Sequence, residues 1–325
     1  MAGNGILVTG GTGLVGAYTT ARLLNASVRT VAYDLRPDRR LLQAVGVDLN
    51  ELSLVEGDVL DFSRLQFVVR EYQIGRIIHL AAALGEQAQR QPYAGAELNI
   101  MGTVNVLEAA RLEGISRVVY GSSGAVYLGS LDERTKNIDE SIPLNPTSLY
   151  AATKASAELL GRSYARSFGF EFISVRYVGG LYGPSPVAKK STREQAIQDM
   201  VRAAIRGRST TVQWPEGTME LLYGKDAAKG TVSACLTERL KDDVFHIGSG
   251  ELLDGDDFVR ALEHQFPKVR ITLKQVTRPL PHPEIGLLND NSRSCQQLGY
   301  QPDYPLGKAL EDYAATLRIM EPSRR

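Results

Sequence analysis

The chain of 325 residues has only two cysteines, Cys235 and Cys295, and a single tryptophan. The cysteines make no C-x-x-C pair, so no disulfide framework is expected, and they read as reduced thiols of a cytoplasmic protein. No His/Cys/Asp spacing suggests a metal site, and no metal is expected. Charge of one sign is also lacking: 37 Lys and Arg balance 37 Asp and Glu. No net field therefore draws the chain to nucleic acid or to an anionic bilayer, and neither is expected as a partner. Lys189-Lys190 and Arg324-Arg325 read as solvated charges rather than binding patches. No apolar run approaches a membrane span, and the first strand begins almost at Met1, so no signal peptide is expected either. Two catalytic signatures are missing as well. No Gly-Lys-Ser/Thr follows the glycine-rich stretch, which excludes a phosphate loop, and no Gly-x-Ser-x-Gly elbow supports a serine hydrolase.

What is present begins at once. Ile6-Leu7-Val8 reads as a buried strand, and Gly10-x-x-Gly13-x-x-Gly16 turns the chain. Leu14, Tyr18, Ala21 and Leu24 then recur at helical spacing. A strand, a glycine-rich turn and a helix form the context of a dinucleotide fingerprint. Gly10 allows the tight turn, Gly13 lets backbone approach a pyrophosphate, and Gly16 lets helix and strand pack closely. The helix N-terminus offers free N–H groups and partial positive charge to that anion. A second apolar run, Val28 to Tyr33, ends at Asp34, at the distance expected for a ribose-binding carboxylate. That acid favours NAD over NADP, with Arg36 and Arg39 near enough in sequence to blunt the preference.

Farther on, strand and helix patterns alternate. Leu52–Asp58, Arg76–Ala82, Arg117–Ser123 and Phe172–Tyr177 read as strands, and residues 61–73, 94–112 and 149–168 as helices. Apolar strands alternating with helices predict an α/β fold, a Rossmann-type doubly wound parallel sheet covered on both faces. Past residue 178 the pattern changes: a loop runs over Gly179–Pro186, then a helix over 191–206. Asp243–Gly248 reads as a strand returning to the main sheet. The chain length suggests about two domains. The expected division is 1–178 with about 219–250 as the NAD-binding domain, and about 179–218 with 251–325 as a smaller, interleaved substrate domain.

Tyr150-Ala151-Ala152-Thr153-Lys154 carries the chemistry. Residues four apart share a helix face, so phenol and ammonium can enter one cleft. A free tyrosine titrates at about 10, too high for a base near neutrality. A neighbouring ammonium and the positive charge of an oxidised nicotinamide would lower that value. Ser123, ending a strand of the same sheet, could hydrogen-bond the substrate oxygen. Such a relay beside a hydride acceptor suits oxidation of a secondary alcohol or reduction of a ketone. His79, His246 and His264 read as packed or surface histidines, and Tyr182 either borders the substrate or packs its loop.

On these stretches the chain resembles the extended short-chain dehydrogenase/reductases of the NAD-dependent epimerase/dehydratase family. Thr9–Gly16 matches the family's cofactor motif, Gly57-Asp58-Val59 its adenine-side acid, and His79-Leu80-Ala81-Ala82 its fourth-strand motif. Asn99 matches its structural asparagine, Ser122–Tyr127 its catalytic strand, and His246–Glu251 a later strand. The resemblance implies a Rossmann domain with a small substrate domain, and a homodimer paired through the helices near 94–112 and 149–168. It implies Ser123, Tyr150 and Lys154 as catalytic residues. Around NAD it implies Gly10, Gly13, Leu14, Val15, Asp34, Asp58, Val59, Leu80, Ala81, Ala82 and Asn99, with Tyr150 and Lys154. On the substrate it implies Ser123, Gly124, Tyr177, Gly179 and Arg278.

Departures from the family pattern narrow the chemistry. Gly124 and Ala125 stand where dehydratases carry an acid pair. Gly179 stands where nucleotide-sugar epimerases carry an asparagine, and Met219 where they carry a diphosphate-binding arginine, whereas Arg278 matches a second such arginine. The expectation is an NAD-dependent oxidoreductase acting on a secondary alcohol of a small polar substrate, such as a sugar, sugar acid or hydroxy acid. A nucleotide-sugar 4-epimerase with tightly bound NAD is the alternative, and a silent NAD-binding regulator a third reading.

Overall fold

The computed structural model describes residues 3–132, 135, 137–185, 192–276 and 286–322. Twelve strands occur among them: β1 (Gly5–Thr9), β2 (Thr30–Asp34), β3 (Ser53–Glu56), β4 (Ile74–His79), β5 (Arg117–Ser123), β6 (Glu171–Tyr177), β7 (Gly180–Tyr182), β8 (Thr210–Pro215), β9 (Met219–Tyr223), β10 (Val244–Ile247), β11 (Leu252–Leu253) and β12 (Ile271–Val276). Seven form one sheet in the order β10-β6-β5-β4-β1-β2-β3. Every neighbouring pair in it is parallel. The order reverses at β1, between β2 and β4, which is where a doubly wound sheet opens a crevice beyond its carboxyl ends.

Period-two alternation puts apolar side chains on both faces of this sheet. Leu7, Val31, Ile77, Val118 and Phe172 pack into one core, and Ile6, Val8, Ile78, Val119 and Val175 into the other. The first face is covered by the helices Phe62–Glu71, Gly102–Glu113 and Leu149–Phe168, the second by Leu14–Asn25 and Gly224–Leu236. The run read as one helix over 94–112 is broken. Pro92–Ala96 leads into a wider π turn over Glu97–Met101 before Gly102–Glu113 resumes the α form. Residues 149–168 form the helix that periodicity predicts. Ser148 caps its start by accepting from Ala151 N at 3.2 Å, and Gly169 ends it at φ +75°.

A second core lies beside the sheet, built on Tyr182, Trp214, Tyr223, Phe258, Leu310 and Tyr313. There β7, β9 and β11 form a three-stranded sheet, and β8 pairs with β12 in parallel. Strand β9 thus stands outside the seven-stranded sheet, while the Gly224–Leu236 helix that follows packs back on its face. Among the described residues no helix is long and apolar enough to cross a membrane.

Candidate active site

A cavity of about 790 Å³ lies beyond the carboxyl ends of the parallel strands and under the second core. The glycine-rich turn forms one end of it. Gly10, at φ +66°, could take no side chain, because a Cβ would stand 2.9 Å from Ala81 N. A Cβ on Gly16 would stand 2.0 Å from Gly10 O, so the helix can pack this closely only without one. Gly13 differs: a Cβ there would meet only Gly10 O, at 3.4 Å, and the residue's other side is open. Gly13 also caps the Leu14–Asn25 helix with no side-chain hydrogen bond, and Gly13, Leu14 and Val15 line the cavity. The unshielded helix start therefore has the donor set and the closeness of backbone that a pyrophosphate requires.

Asp34 ends β2 on the same wall. Its Oδ2 accepts from Thr12 N at 3.1 Å and from Thr12 Oγ1 at 2.8 Å, which ties the acid to the glycine turn. Asp58 and Val59 follow β3, and Leu80, Ala81 and Ala82 follow β4, all lining the cavity. Asn99 lies behind this wall and does not line it. It is 2% exposed, accepts from Ala83 N at 2.7 Å, and donates to Thr153 Oγ1 at 2.9 Å. It joins the segment after β4 to the helix that carries Tyr150. His79 is held between Thr9 Oγ1 at 2.7 Å and Thr103 Oγ1 at 3.1 Å, so it packs as a structural residue. Tyr182 likewise packs against Tyr223 and Phe258.

Ser123, Gly124, Tyr150, Lys154, Tyr177 and Gly179 line the middle of the cavity. Ser123 pairs in register with Tyr177, at the ends of β5 and β6. Lys154 is 3% exposed, donates to Gly121 O at 2.6 Å, and stands 5.8 Å from the centre of the Tyr150 ring. Burial pushes the Tyr150 phenol up to about 12, against a hydrogen bond with Ser123 that pulls it down. Burial also pushes the Lys154 ammonium down to about 7, opposed by the negative charge of Glu158. The sequence expectation that Lys154 lowers Tyr150 is not what the protein alone displays. Desolvation of the enclosed phenol outweighs its hydrogen bond with Ser123. Arg278, the remaining residue expected at the substrate, lies outside the described residues, as do Lys189 and Lys190.

Residue-by-residue reading missed a polar cluster beneath the catalytic pair. Glu158, fully buried one helical turn after Lys154, accepts from Ser122 Oγ at 2.6 Å. It also accepts from Arg176 Nε at 3.0 Å and Nη2 at 2.9 Å. A bidentate buried pair of this kind fixes the relative position of β5, β6 and the Tyr150 helix. Its only sequence signal is an acid at i+4 from Lys154 on an otherwise apolar face. A second set, Tyr127, Asn289 and Glu220, closes the far end of the cavity. Tyr127 Oη donates to Asn289 Oδ1 at 2.7 Å, and Asn289 Nδ2 donates to Glu220 Oε2 at 2.8 Å. Sequence separations of 162 and 69 residues hide this set from any local pattern. Among the described residues, no group of His, Cys, Asp and Glu could hold a metal ion.

The sequence model of the NAD dependent epimerase/dehydratase family matches residues 6–248. A UDP-glucose 4-epimerase of Corynebacterium glutamicum is 29% identical over 320 residues, covering 92% of this chain and 91% of its own. A UDP-glucuronate 4-epimerase of Thermodesulfobacterium geofontis is 28% identical over 254 residues, covering 75% of each chain. Among solved structures, the UDP-glucuronic acid 4-epimerase of Bacillus cereus in complex with NAD superposes with a TM-score of 0.76 at 25% identity, covering 97% of this chain and 99% of the other. The family match spans most of the chain and takes in the glycine turn, Asp34, Ser123, Tyr150 and Lys154. The chain is therefore an NAD-dependent enzyme, with a Rossmann-type fold, and belongs to the NAD dependent epimerase/dehydratase family.

Proposed function

We propose that the protein oxidises a secondary alcohol of a small polar substrate, such as a sugar, sugar acid or hydroxy acid. One observation carries this reading: Tyr150 and Lys154 stand side by side on one helix against Ser123, inside the cavity that the glycine turn and Asp34 also line. Bound NAD supplies the hydride acceptor. Gly13, Leu14 and Val15 offer backbone donors to its pyrophosphate, and Asp34 and Asp58 take its adenosine side. Tyr150 receives the proton of the substrate hydroxyl, Ser123 orients that oxygen, and Lys154, when protonated, favours the phenolate against the desolvation that raises it. Glu158 and Arg176 hold the strand ends and the helix in place as positioning residues.

A 4-epimerase is the second reading, and the two curated 4-epimerases at 28% and 29% identity favour it. In it the same residues return the proton, and no reduced cofactor leaves. The test incubates purified protein with NAD at mildly alkaline pH and a panel of sugars, sugar acids, hydroxy acids and UDP-sugars. Substrate-dependent NADH is the expected result. Conversion of a UDP-sugar to its C4 epimer without NADH would replace the first reading by the second.

We also propose the division into an NAD-binding part (1–178 and about 219–250) and a substrate-binding part (about 179–218 and 251–325), with β9 (Met219–Tyr223), which pairs with β7 and β11, on the substrate side. A homodimer paired through the Gly102–Glu113 and Leu149–Phe168 helices belongs to the same proposal. Leu112, Leu159 and Phe168 leave apolar surface exposed on these helices. A cytoplasmic location agrees with two free cysteines, Cys235 buried and Cys295 exposed.

A further inference from the structure

The end of β5 holds the Tyr150 helix at three successive residues. Lys154 Nζ donates to Gly121 O at 2.6 Å, Ser122 Oγ donates to Glu158 Oε1 at 2.6 Å, and Ser123 hydrogen-bonds Tyr150. The residue before them, Tyr120, makes a contact of another kind. Its ring lies under Lys154 Nζ, which stands 4.7 Å from the ring centre and 5.8 Å from that of Tyr150. Tyr120 is 1% exposed, and its ring is set between two others: His79 of β4, 5.8 Å away between centres, and Phe172 of β6, stacked at 5.9 Å. The titratable groups around Lys154 leave this ring face as its close companion. Glu158, one helical turn on, accepts from Arg176 through both oxygens and from Arg162 Nη2 at 3.2 Å. Two guanidinium groups thus meet its charge, which weakens what it offers Lys154. Burial pushes the His79 imidazole down to about 3, with the Lys154 charge a lesser cause, so His79 stands neutral. Burial likewise pushes up the phenols of Tyr120, of Tyr150 and of Tyr177, which faces Tyr150 from β6.

A neutral aromatic ring still presents the negative face of its quadrupole. A cation within about 6 Å of the ring centre is drawn to that face, most strongly where water is absent. We propose that Tyr120 is a positioning residue of the reaction: its ring face seats the Lys154 nitrogen as an ammonium, and through that charge favours the base form of Tyr150. The inference rests on the proton-accepting role given to Tyr150 in the function proposed above, and assigns the residue that supports its partner.

The test alters the quadrupole of the ring and keeps its shape. Phenylalanine bearing no, one, two or three fluorines is placed at position 120 of the full-length protein, saturated with NAD. Lys154 is titrated by NMR in protein labelled at lysine Cε, its resonance assigned by its loss in Lys154→Arg. Tyr120→Phe is expected to keep the midpoint of the unaltered protein, because the ring face is retained. Fluorination withdraws the negative face, so the midpoint is expected to fall at each step, by about one pH unit over the series. The rising limb of the turnover–pH profile is expected to move to higher pH in the same order, since a weaker positive charge leaves the Tyr150 phenol harder to ionise. A role in packing alone would move neither. A flat series of midpoints, or falling midpoints with an unmoved limb, overturns the inference. Falling midpoints with a moving limb for epimerisation of a UDP-sugar, and no NADH from any alcohol, would uphold it and replace the alcohol-oxidising reading.

Discussion

The two ends of the cavity are built on opposite principles. At the cofactor end, backbone forms the wall: Gly10, Gly13 and Gly16 bring main chain so close that a Cβ on Gly16 would stand 2.0 Å from Gly10 O. Charge there comes from Asp34 and Asp58 at the ends of successive parallel strands. At the substrate end, side chains from distant segments form the wall, and Tyr127, Asn289 and Glu220 close it through hydrogen bonds that cross the chain. The first end serves a cofactor common to a whole family, so a short local motif can encode it. On the function proposed above the second holds the substrate, and it is assembled from loops and from strands outside the seven-stranded sheet.

The two ends meet at Tyr150, and the largest effect is expected there. Tyr150→Phe should lower turnover by about a hundredfold to ten-thousandfold while NAD still binds, checked by steady-state kinetics beside NAD titration. Equal loss of NAD binding would show that the ends are not separable. Within the substrate end, Gly179 holds φ +72° and a Cβ would stand 1.9 Å from Glu220 O. Gly179→Ala should therefore cost about 3 kcal/mol of stability, from left-handed strain and overpacking together. Urea unfolding measures it, and an unchanged midpoint would mean that β7 and β9 yield easily.

At the cofactor end, Asp34→Ala should weaken NAD about tenfold and raise the relative use of NADP, since one charged acceptor is removed. Unaltered preference between the two dinucleotides would place the ribose elsewhere. A further effect concerns pH. Lys154 titrates near 7 when folded and at its usual value near 10.5 when unfolded, so the unfolded chain binds the extra proton between them. Its contribution therefore makes stability rise with pH across that window. Tyr150, raised to about 12, works in the opposite sense only above about pH 10. Lys154→Met should flatten the rise between pH 7 and 9 in unfolding experiments on the cofactor-free protein, and an unchanged slope would assign it to other groups.

Much of the cofactor end was legible in sequence because its parts are local. A strand, three glycines at a spacing of three, and an acid ending the next strand each follow from a short stretch and a fixed geometry. The Tyr150–Lys154 pair was legible for the same reason, as two residues one helical turn apart. Asn99 was visible as a motif residue, but its position behind the wall depends on the π turn over Glu97–Met101, which helical periodicity does not encode. A lowered Tyr150 was expected from its proximity to Lys154, yet burial raises it, and burial is a property of the packed molecule.

By itself the sequence determined the alternation of strand and helix, the glycine-rich turn and the placing of Tyr150 and Lys154 on one helix face, since each is set by backbone sterics, burial periodicity or helical spacing. Only the tertiary structure decided that Glu158 meets both Ser122 and Arg176, that Leu221 packs into the space beside Gly180, and that Asn289 reaches Tyr127. These contacts join residues far apart in the chain, and no local pattern fixes which distant partners the packed sheet and the second core bring within hydrogen-bond or van der Waals reach.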